Sequence, residues 1–254
     1  MKAIILAAGR GSRLSALTKD KPKCLTAIWG RPLIDWQTDA LRNAGISEIA
    51  VVRGYLSEKL NLPGLTYFEN NNWENSNMVN TMLCAREWLE TDDCVISYSD
   101  IVYPKGTVSR LIKCRSDIVI PYNTDWRSLW KLRFEDPLTD AETFKIDKNG
   151  VLIEIGTKAG NLDEIHGQYM GLLKFTPVGW KVAFDYLDSL PREECAKLDC
   201  TALLNRLLAR GVVINTIPVP GSWFEIDNEN DIKVYESNWS VPFTENESSI
   251  KKPA

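Results

Sequence analysis

The chain of 254 residues carries 30 Lys and Arg against 34 Asp and Glu, a formal net charge of −4, with 44% hydrophobic and 25% charged residues. That is the composition of a globular protein able to bury a large core, and it excludes collagen, a coiled coil and wholesale disorder. With no long basic run, nucleic acid and anionic membranes are excluded as main partners, because both require a positive stripe that displaces counterions; a local basic pocket for an anionic small molecule stays open.

Residues 2–6 read as a buried strand, residues 32–43 as a helix stopped by Gly45, and residues 48–52 as the next strand. An asparagine-crowded loop, 70–77, leads into a helical pattern in which Met78, Met82, Ala85 and Leu89 recur at three- and four-residue spacing. Residues 94–98 then form a strand that ends at Asp100, followed by a helix at 108–114 and a strand at 117–121. Strands alternating with helices predict an α/β fold, a mostly parallel Rossmann-like sheet with helices on both faces. The centre differs, since residues 143–146, an Asp147-Lys148-Asn149-Gly150 turn and residues 151–155 read as an antiparallel hairpin. A small β-rich lid is expected there, within an insertion spanning about 122–175. Helices at 178–189 and 201–209, a strand at 212–217 and a Trp223-Phe224-Glu225-Ile226-Asp227 segment complete one domain, 1–239, with a polar tail at 240–254.

No apolar run reaches the roughly 18–20 residues of a membrane span, and the first apolar stretch meets Gly9 too early for a signal peptide, so a cytoplasmic protein is expected. The six cysteines form no Cys-x-x-Cys pair and the chain has a single histidine, His166, which argues against a zinc site and a disulfide framework.

The most informative stretch is Leu6-Ala7-Ala8-Gly9-Arg10-Gly11-Ser12-Arg13-Leu14, followed by Pro22-Lys23-Cys24-Leu25. A glycine-rich turn directly after the first strand exposes backbone N–H groups and lets phosphates approach closely. It is neither a dinucleotide fingerprint, because Leu14 stands where a third glycine would be, nor a Walker loop, because no Gly-Lys-Ser/Thr closes it. It adds two fixed positive charges, Arg13 and Lys23. Asp100 and Asp227 each close a strand and could converge on one sheet edge as magnesium ligands, although a helix cap or turn role explains either one taken alone.

The stretch from Leu6 to Leu25 resembles the nucleotidyltransferases that activate sugar phosphates and phosphocholine, whose opening is Leu-Ala-Ala-Gly-x-Gly-x-Arg-Leu with a downstream Pro-Lys-x-Leu. The resemblance implies a loop of Gly9, Gly11 and Ser12 wrapped around the nucleotide, Arg13 and Lys23 on its phosphates, and Leu6, Ala7 and Ala8 beside base and ribose. It also implies that Asp100 and Asp227 hold Mg2+, with Ser99 in place of the family's usual glycine before the first aspartate. Arg13, Lys23, Asp100 and Asp227 are then the catalytic set. An acceptor phosphate oxygen would attack the α-phosphorus in line, needing no general base, which agrees with the near absence of histidine; His166 is expected to be structural or, at most, substrate-contacting.

Asn75-Ser76-Asn77-Met78 replaces the Leu-Gly-Thr-Ala of the sugar-phosphate branch, and Ile155-Gly156-Thr157-Lys158 replaces its Glu-Lys-Pro element. The chain thereby looks more like the cytidylyltransferases acting on phosphocholine, aminoalkylphosphonates and other small phosphorylated amines or acids, with CTP as donor and Ser76, Asn77 and Tyr55 near the base. For the acceptor, Trp126, Trp130, Arg133, Glu142, Lys158 and Tyr169 are the candidates: aromatic faces suit an ammonium, Arg and Lys a phosphate or phosphonate. The same tryptophans would equally serve to pack an amphipathic element on a neighbour. Two other readings stay in view: a sugar-1-phosphate nucleotidyltransferase using another NTP (UTP, dTTP or GTP), and a nucleotide-binding regulatory subunit without turnover. A homodimer is compatible with the sequence.

Overall fold

The computed structural model describes residues 1–14, 17–221 and 223–240. Strand β1 (Lys2–Ala7) alternates its side chains between two cores, Ala3, Ile5 and Ala7 on one face and Ile4 and Leu6 on the other. A strand buried on both faces is what a helix-covered parallel sheet requires. A short hairpin, β2 (Ala27–Ile28) with β3 (Arg31–Pro32), precedes helix α1 (Leu33–Asn43). The helix starts after Pro32 because that proline holds extended backbone, φ −55° and ψ 144°. Strand β4 (Ile49–Arg53) follows, then the short edge strand β5 (Thr66–Glu69), which the sequence pattern did not suggest.

The single helix expected through Met78 and Leu89 is two, α2 (Met78–Leu83) and α3 (Arg86–Thr91). The amides of Cys84 and Ala85 donate to Thr81 and Met82 carbonyls, tightening the last turn of α2 and ending it, while Val79, Met82, Ala85 and Leu89 still share one buried cluster. Strand β6 (Cys94–Tyr98) has the expected bounds. After it come β7 (Ile101–Val102), α4 (Lys105–Lys113), β8 (Ile118–Asn123) and α5 (Trp126–Arg133). The tryptophan-rich segment folds as α5, with Trp126, Leu129, Trp130 and Arg133 buried on one helical face.

Strands β9 (Glu142–Ile146) and β10 (Leu152–Lys158) form the expected antiparallel hairpin. At its turn only Gly150 takes a positive φ, +77°, while the Asp147 carboxylate accepts from the amides of Asn149 and Val151, both at 2.8 Å. The remaining elements are β11 (Gln168–Tyr169), β12 (Leu172–Phe175), α6 (Pro177–Asp188), α7 (Arg192–Lys197), α8 (Cys200–Leu208), β13 (Asn215–Val219), β14 (Phe224–Glu225) and α9 (Glu229–Asn238).

The main sheet runs β5-β4-β1-β6-β12-β8, with β11 continuing the line of β12 along β8, and β13 also paired to β8. Pairs β1–β4, β1–β6, β4–β5 and β8–β13 are parallel, whereas β11 and β12 run antiparallel to their neighbours. Within the span 122–175 expected as an insertion, α5 and the β9–β10 hairpin lie outside this sheet, and β11 and β12 belong to it. His166 fastens the hairpin: its amide donates to the Phe144 carbonyl at 2.8 Å, and its Nδ1 accepts from the Ile146 amide at 3.2 Å. Residues 241–254, most of the expected polar tail, lie outside the described residues. None of the described helices is long and apolar enough to cross a membrane.

Candidate active site

Because β1, β4 and β6 are parallel neighbours, their carboxyl ends place Ala8, Gly54 and Ser99 along one sheet edge, where open α/β sheets bind ligands. The Ala8 carbonyl accepts from the Tyr55 amide at 2.9 Å, tying the glycine loop to the turn after β4. Gly11 has φ +66°, and a Cβ added there would stand 2.9 Å from Lys23 Cδ and 3.0 Å from its Cβ. The loop therefore needs glycine twice over, for its left-handed backbone and for the lysine stem that passes beneath it.

This loop forms one wall of a cavity of about 250 Å³: Leu6, Ala8, Gly9, Gly11, Ser12, Arg13 and Lys23 face Trp73, Ser76, Asn77, Met78 and Thr81, with Tyr98, Ser99 and Asp100 at the base. Asn70 organises the opposite wall, its Nδ2 donating to Ser76 Oγ and Thr81 Oγ1, both at 3.0 Å. Asn77 caps α2 through Oδ1, which accepts from the Met78 amide at 2.8 Å.

The two aspartates converge through backbone pairing. Strand β14 pairs antiparallel with β7, and the Ile226 amide donates to the Asp100 carbonyl at 2.9 Å, so residues 127 positions apart in sequence come to one end of the sheet. From α1, buried Gln37 steadies the turn that carries Asp100, its Nε2 donating to the carbonyls of Tyr98 at 2.9 Å and Ile101 at 2.7 Å. Lys23 Nζ lies between the carboxylates, 2.7 Å from Asp100 Oδ2 and 3.3 Å from Asp227 Oδ1, and Arg13 Nη2 reaches Asp227 Oδ1 at 2.8 Å. Burial opposes the charge on Lys23, but Asp100 and Asp227 outweigh it and hold its ammonium above the ordinary lysine value. Glu225 is pushed up to about 8, first by burial and then by the Asp227 charge.

Asp227 borders a second cavity of about 280 Å³ that shares Arg13, Asn77, Met78 and Tyr98 with the first. Its lining is acidic, with Asp140, Glu142, Asp199, Glu225 and Asp227, and aromatic, with Trp130, Tyr169 and Trp223. Trp130 and Trp223 stack at 5.6 Å with an interplanar angle of 18°, and Trp130 Nε1 donates to Asp140 Oδ2 at 3.1 Å. Partial burial, then Asp199 and Asp140, raise the Glu142 carboxyl above its ordinary value.

Most of the sequence-predicted residues therefore meet around these two cavities, and five do not line them. Ala7 points into the core beneath β1. Tyr55 lies behind Trp73, edge-on at 5.3 Å, and donates its hydroxyl to the Lys19 carbonyl at 2.9 Å. Trp126 is 2% exposed and packs in the core, Lys158 is exposed at the end of β10, and Arg133 is enclosed behind the wall of the second cavity. Trp130, Glu142 and Tyr169 line the second cavity. Sequence reasoning missed Trp73, Thr81, Asp140, Gln168, Asp199, Thr201 and Trp223. Of these, only Trp223 carried a signal, because period-two alternation along 223, 225 and 227 puts it on the same face as Asp227.

The MobA-like NTP transferase domain matches residues 3–169, the part of the chain that holds the glycine loop, Lys23 and Asp100. The CTP:phosphoglutamine cytidylyltransferase of Campylobacter jejuni is 39% identical over 250 residues, covering 92% of this chain and 98% of its own. The 2-aminoethylphosphonate cytidylyltransferase of Lancefieldella rimae is 36% identical over 105 residues, 39% of this chain and 43% of its own. Among solved structures, the inositol-1-phosphate CTP transferase from T. maritima aligns with a TM-score of 0.72 at 20% identity over 92% of this chain and 94% of its own, a likeness of fold. With a glycine-rich loop at the carboxyl edge of the sheet and a match over most of its length, the chain belongs to the MobA-like NTP transferase family and is a nucleotidyltransferase.

Proposed function

We propose that the protein transfers a cytidylyl group from CTP to a phosphate or phosphonate oxygen of a small acceptor that also carries a cationic amine, releasing pyrophosphate. The observation that carries this reading is the meeting of the two cavities at Arg13, Asn77, Met78 and Tyr98, with Lys23 and Asp100 on the side of the glycine loop and Asp227 on the acidic side. The relatives named as cytidylyltransferases of phosphoglutamine and 2-aminoethylphosphonate support the donor and the acceptor class. An acidic, aromatic wall attracts an ammonium, whereas the acceptor's own phosphorus oxyanion faces Arg13 at the junction.

The acceptor oxygen forms a bond to the α-phosphorus while the bond from that phosphorus to the bridging oxygen breaks, and pyrophosphate leaves with the electron pair. The attacking oxygen is already ionised near neutral pH, so the residues contribute position and charge: Arg13 and Lys23 draw the phosphates together against their repulsion and neutralise charge that grows in the transition state.

Asp100 and Asp227 fit a hard divalent cation. Asp100 Oδ1 is buried without a hydrogen-bond partner, and among the described residues no three His, Cys, Asp or Glu side chains are grouped to hold a metal by themselves. Two carboxylates completed by substrate phosphate oxygens is the usual arrangement for magnesium, which when bound would neutralise phosphate charge.

The test is pyrophosphate release with magnesium, each of CTP, UTP, GTP and dTTP being paired with phosphocholine, 2-aminoethylphosphonate, phosphoglutamine and glucose 1-phosphate. Release with CTP and an amine-bearing acceptor is expected. Release confined to glucose 1-phosphate, with another nucleotide, would overturn the proposal in favour of a sugar-phosphate enzyme.

A further inference from the structure

Helix α5 carries a guanidinium that the transfer chemistry leaves without a task. Arg133 has a side chain 0% exposed; its Nη1 donates to Glu225 Oε2 at 3.1 Å, its Nη2 to Asp227 Oδ2 at 3.3 Å and its Nε to Asp231 Oδ1 at 3.0 Å. The rings of Trp130 and Phe134 each lie 5.0 Å from the guanidinium carbon. Asp231, itself 1% exposed, uses Oδ2 to accept from the backbone amides of Asp227 at 2.8 Å and Asn228 at 3.1 Å. One arginine thus governs both the side chain of Asp227 and, through Asp231, the turn that carries it.

The consequence is directional. Asp227 Oδ2 is engaged by Arg133 from behind, and Oδ1 is the oxygen turned toward Arg13 and Lys23. Without the arginine, Glu225, Asp227 and Asp231 would be crowded with no cation behind them, and Asp227 would lose the contact on Oδ2 that complements those of Arg13 and Lys23 on Oδ1. The planar fork matters here because a lysine ammonium is a point charge and cannot serve three carboxylates in fixed directions. The same helix places Trp130 in the acceptor-side cavity wall, so the clamp joins that wall to Asp227.

We propose that Arg133 is a positioning residue for nucleotidyl transfer, holding Asp227 so that Oδ1 faces the phosphate-binding side. This rests on the transfer reading above. A purely structural ion cluster would predict that a folded charge-conserving replacement leaves the chemistry alone.

Arg133→Lys and Asp231→Asn in the full chain test it, with four readings each: thermal melting, CTP binding without divalent metal, Mn2+ affinity in the presence of CTP by water-proton relaxation, and kcat and KM. Folded Arg133→Lys should bind CTP without metal within about twofold of the parent, while Mn2+ affinity and kcat each fall by about 10–100-fold, the usual cost of disturbing a group that orients a ligand. Unchanged Mn2+ affinity and a kcat within about threefold would overturn the proposal. Should Arg133→Lys fail to fold, Asp231→Asn decides: a kcat about 10-fold lower with intact metal-free CTP binding supports it, and a lower melting temperature with unchanged kcat overturns it. A parent protein that transfers nothing to any acceptor would count against the transfer reading, and the Mn2+ and CTP binding measurements would still judge Arg133.

Discussion

Lys23 is the residue on which the two halves of the site meet, since its ammonium touches both Asp100 and Asp227 while its stem runs under Gly11. On the proposed transfer its charge would matter most when negative charge grows on the leaving pyrophosphate, so Lys23→Ala should lower kcat by about 10²–10³-fold as well as weaken CTP binding. A rise in KM alone would contradict that role. Asp100→Asn and Asp227→Asn should each reduce turnover by at least about 10²-fold with an unchanged circular dichroism spectrum. Full turnover in either would remove that aspartate from the reacting centre.

Glu142 makes a prediction of opposite sign for stability and for function. Its carboxyl is raised by partial burial and by Asp199 and Asp140, so the folded state holds the proton more tightly than the unfolded state. Its contribution to stability is thus fully present below the unfolded carboxyl value and is lost as pH rises through the folded one. At neutral pH the ionised group is a cost, which the proposed binding of an amine-bearing acceptor would account for. Glu142→Gln should raise the melting temperature at neutral pH and leave it unchanged in acid, while raising KM for an amine-bearing acceptor and sparing KM for CTP. Lower stability at neutral pH, or an unaffected acceptor KM, would refute this.

At the scale of elements, the parts that could be read from sequence are those whose burial pattern is local. Strand β6 was legible to the residue because its five residues are apolar but for Ser97 and are followed by Ser99 and Asp100, and the glycine loop because its spacing is itself the signal. Trp126 and Arg133 misled because a tryptophan-rich basic segment reads the same whether its side chains line a pocket or fill a core; folded as α5, it turns both inward. Asp140, Gln168, Asp199 and Thr201 come from four separate elements or connections, each ordinary in its own stretch. Tertiary packing brings them together: β11 pairs with β8, and α8 packs against β10.

One element-level contact is directly testable. A Cβ at Gly54 would stand 2.7 Å from Trp73 Cβ and 2.9 Å from the Ala8 carbonyl oxygen, so the turn after β4 approaches both walls of the first cavity. Gly54→Ala must displace one of them, and it should raise KM for CTP about 10-fold or more while leaving the acceptor KM near its parent value. An unchanged CTP KM would show that this turn does not shape the nucleotide wall.

For the whole molecule, a net charge of −4 coexists with a site for polyanions because the cations are concentrated. Arg13 and Lys23 stand at the carboxyl edge of the sheet, and the acidic groups gather in the adjoining cavity. Alternation of strands and helices, visible in the sequence, accounts for the sheet and for the edge on which the site lies. It does not announce the sign of the second cavity, the proposed acceptor side. The basic residues expected there are elsewhere, Lys158 on the surface and Arg133 behind the wall, and the cavity is lined by carboxylates.

The most direct measurement is the fate of the α-phosphorus. With CTP labelled at that position, magnesium and 2-aminoethylphosphonate, phosphocholine or phosphoglutamine, the label should pass into a CMP-linked product in step with pyrophosphate. Label recovered only as free CMP or CDP, or transferred only to a hexose 1-phosphate, would contradict cytidylyl transfer to an amine-bearing acceptor.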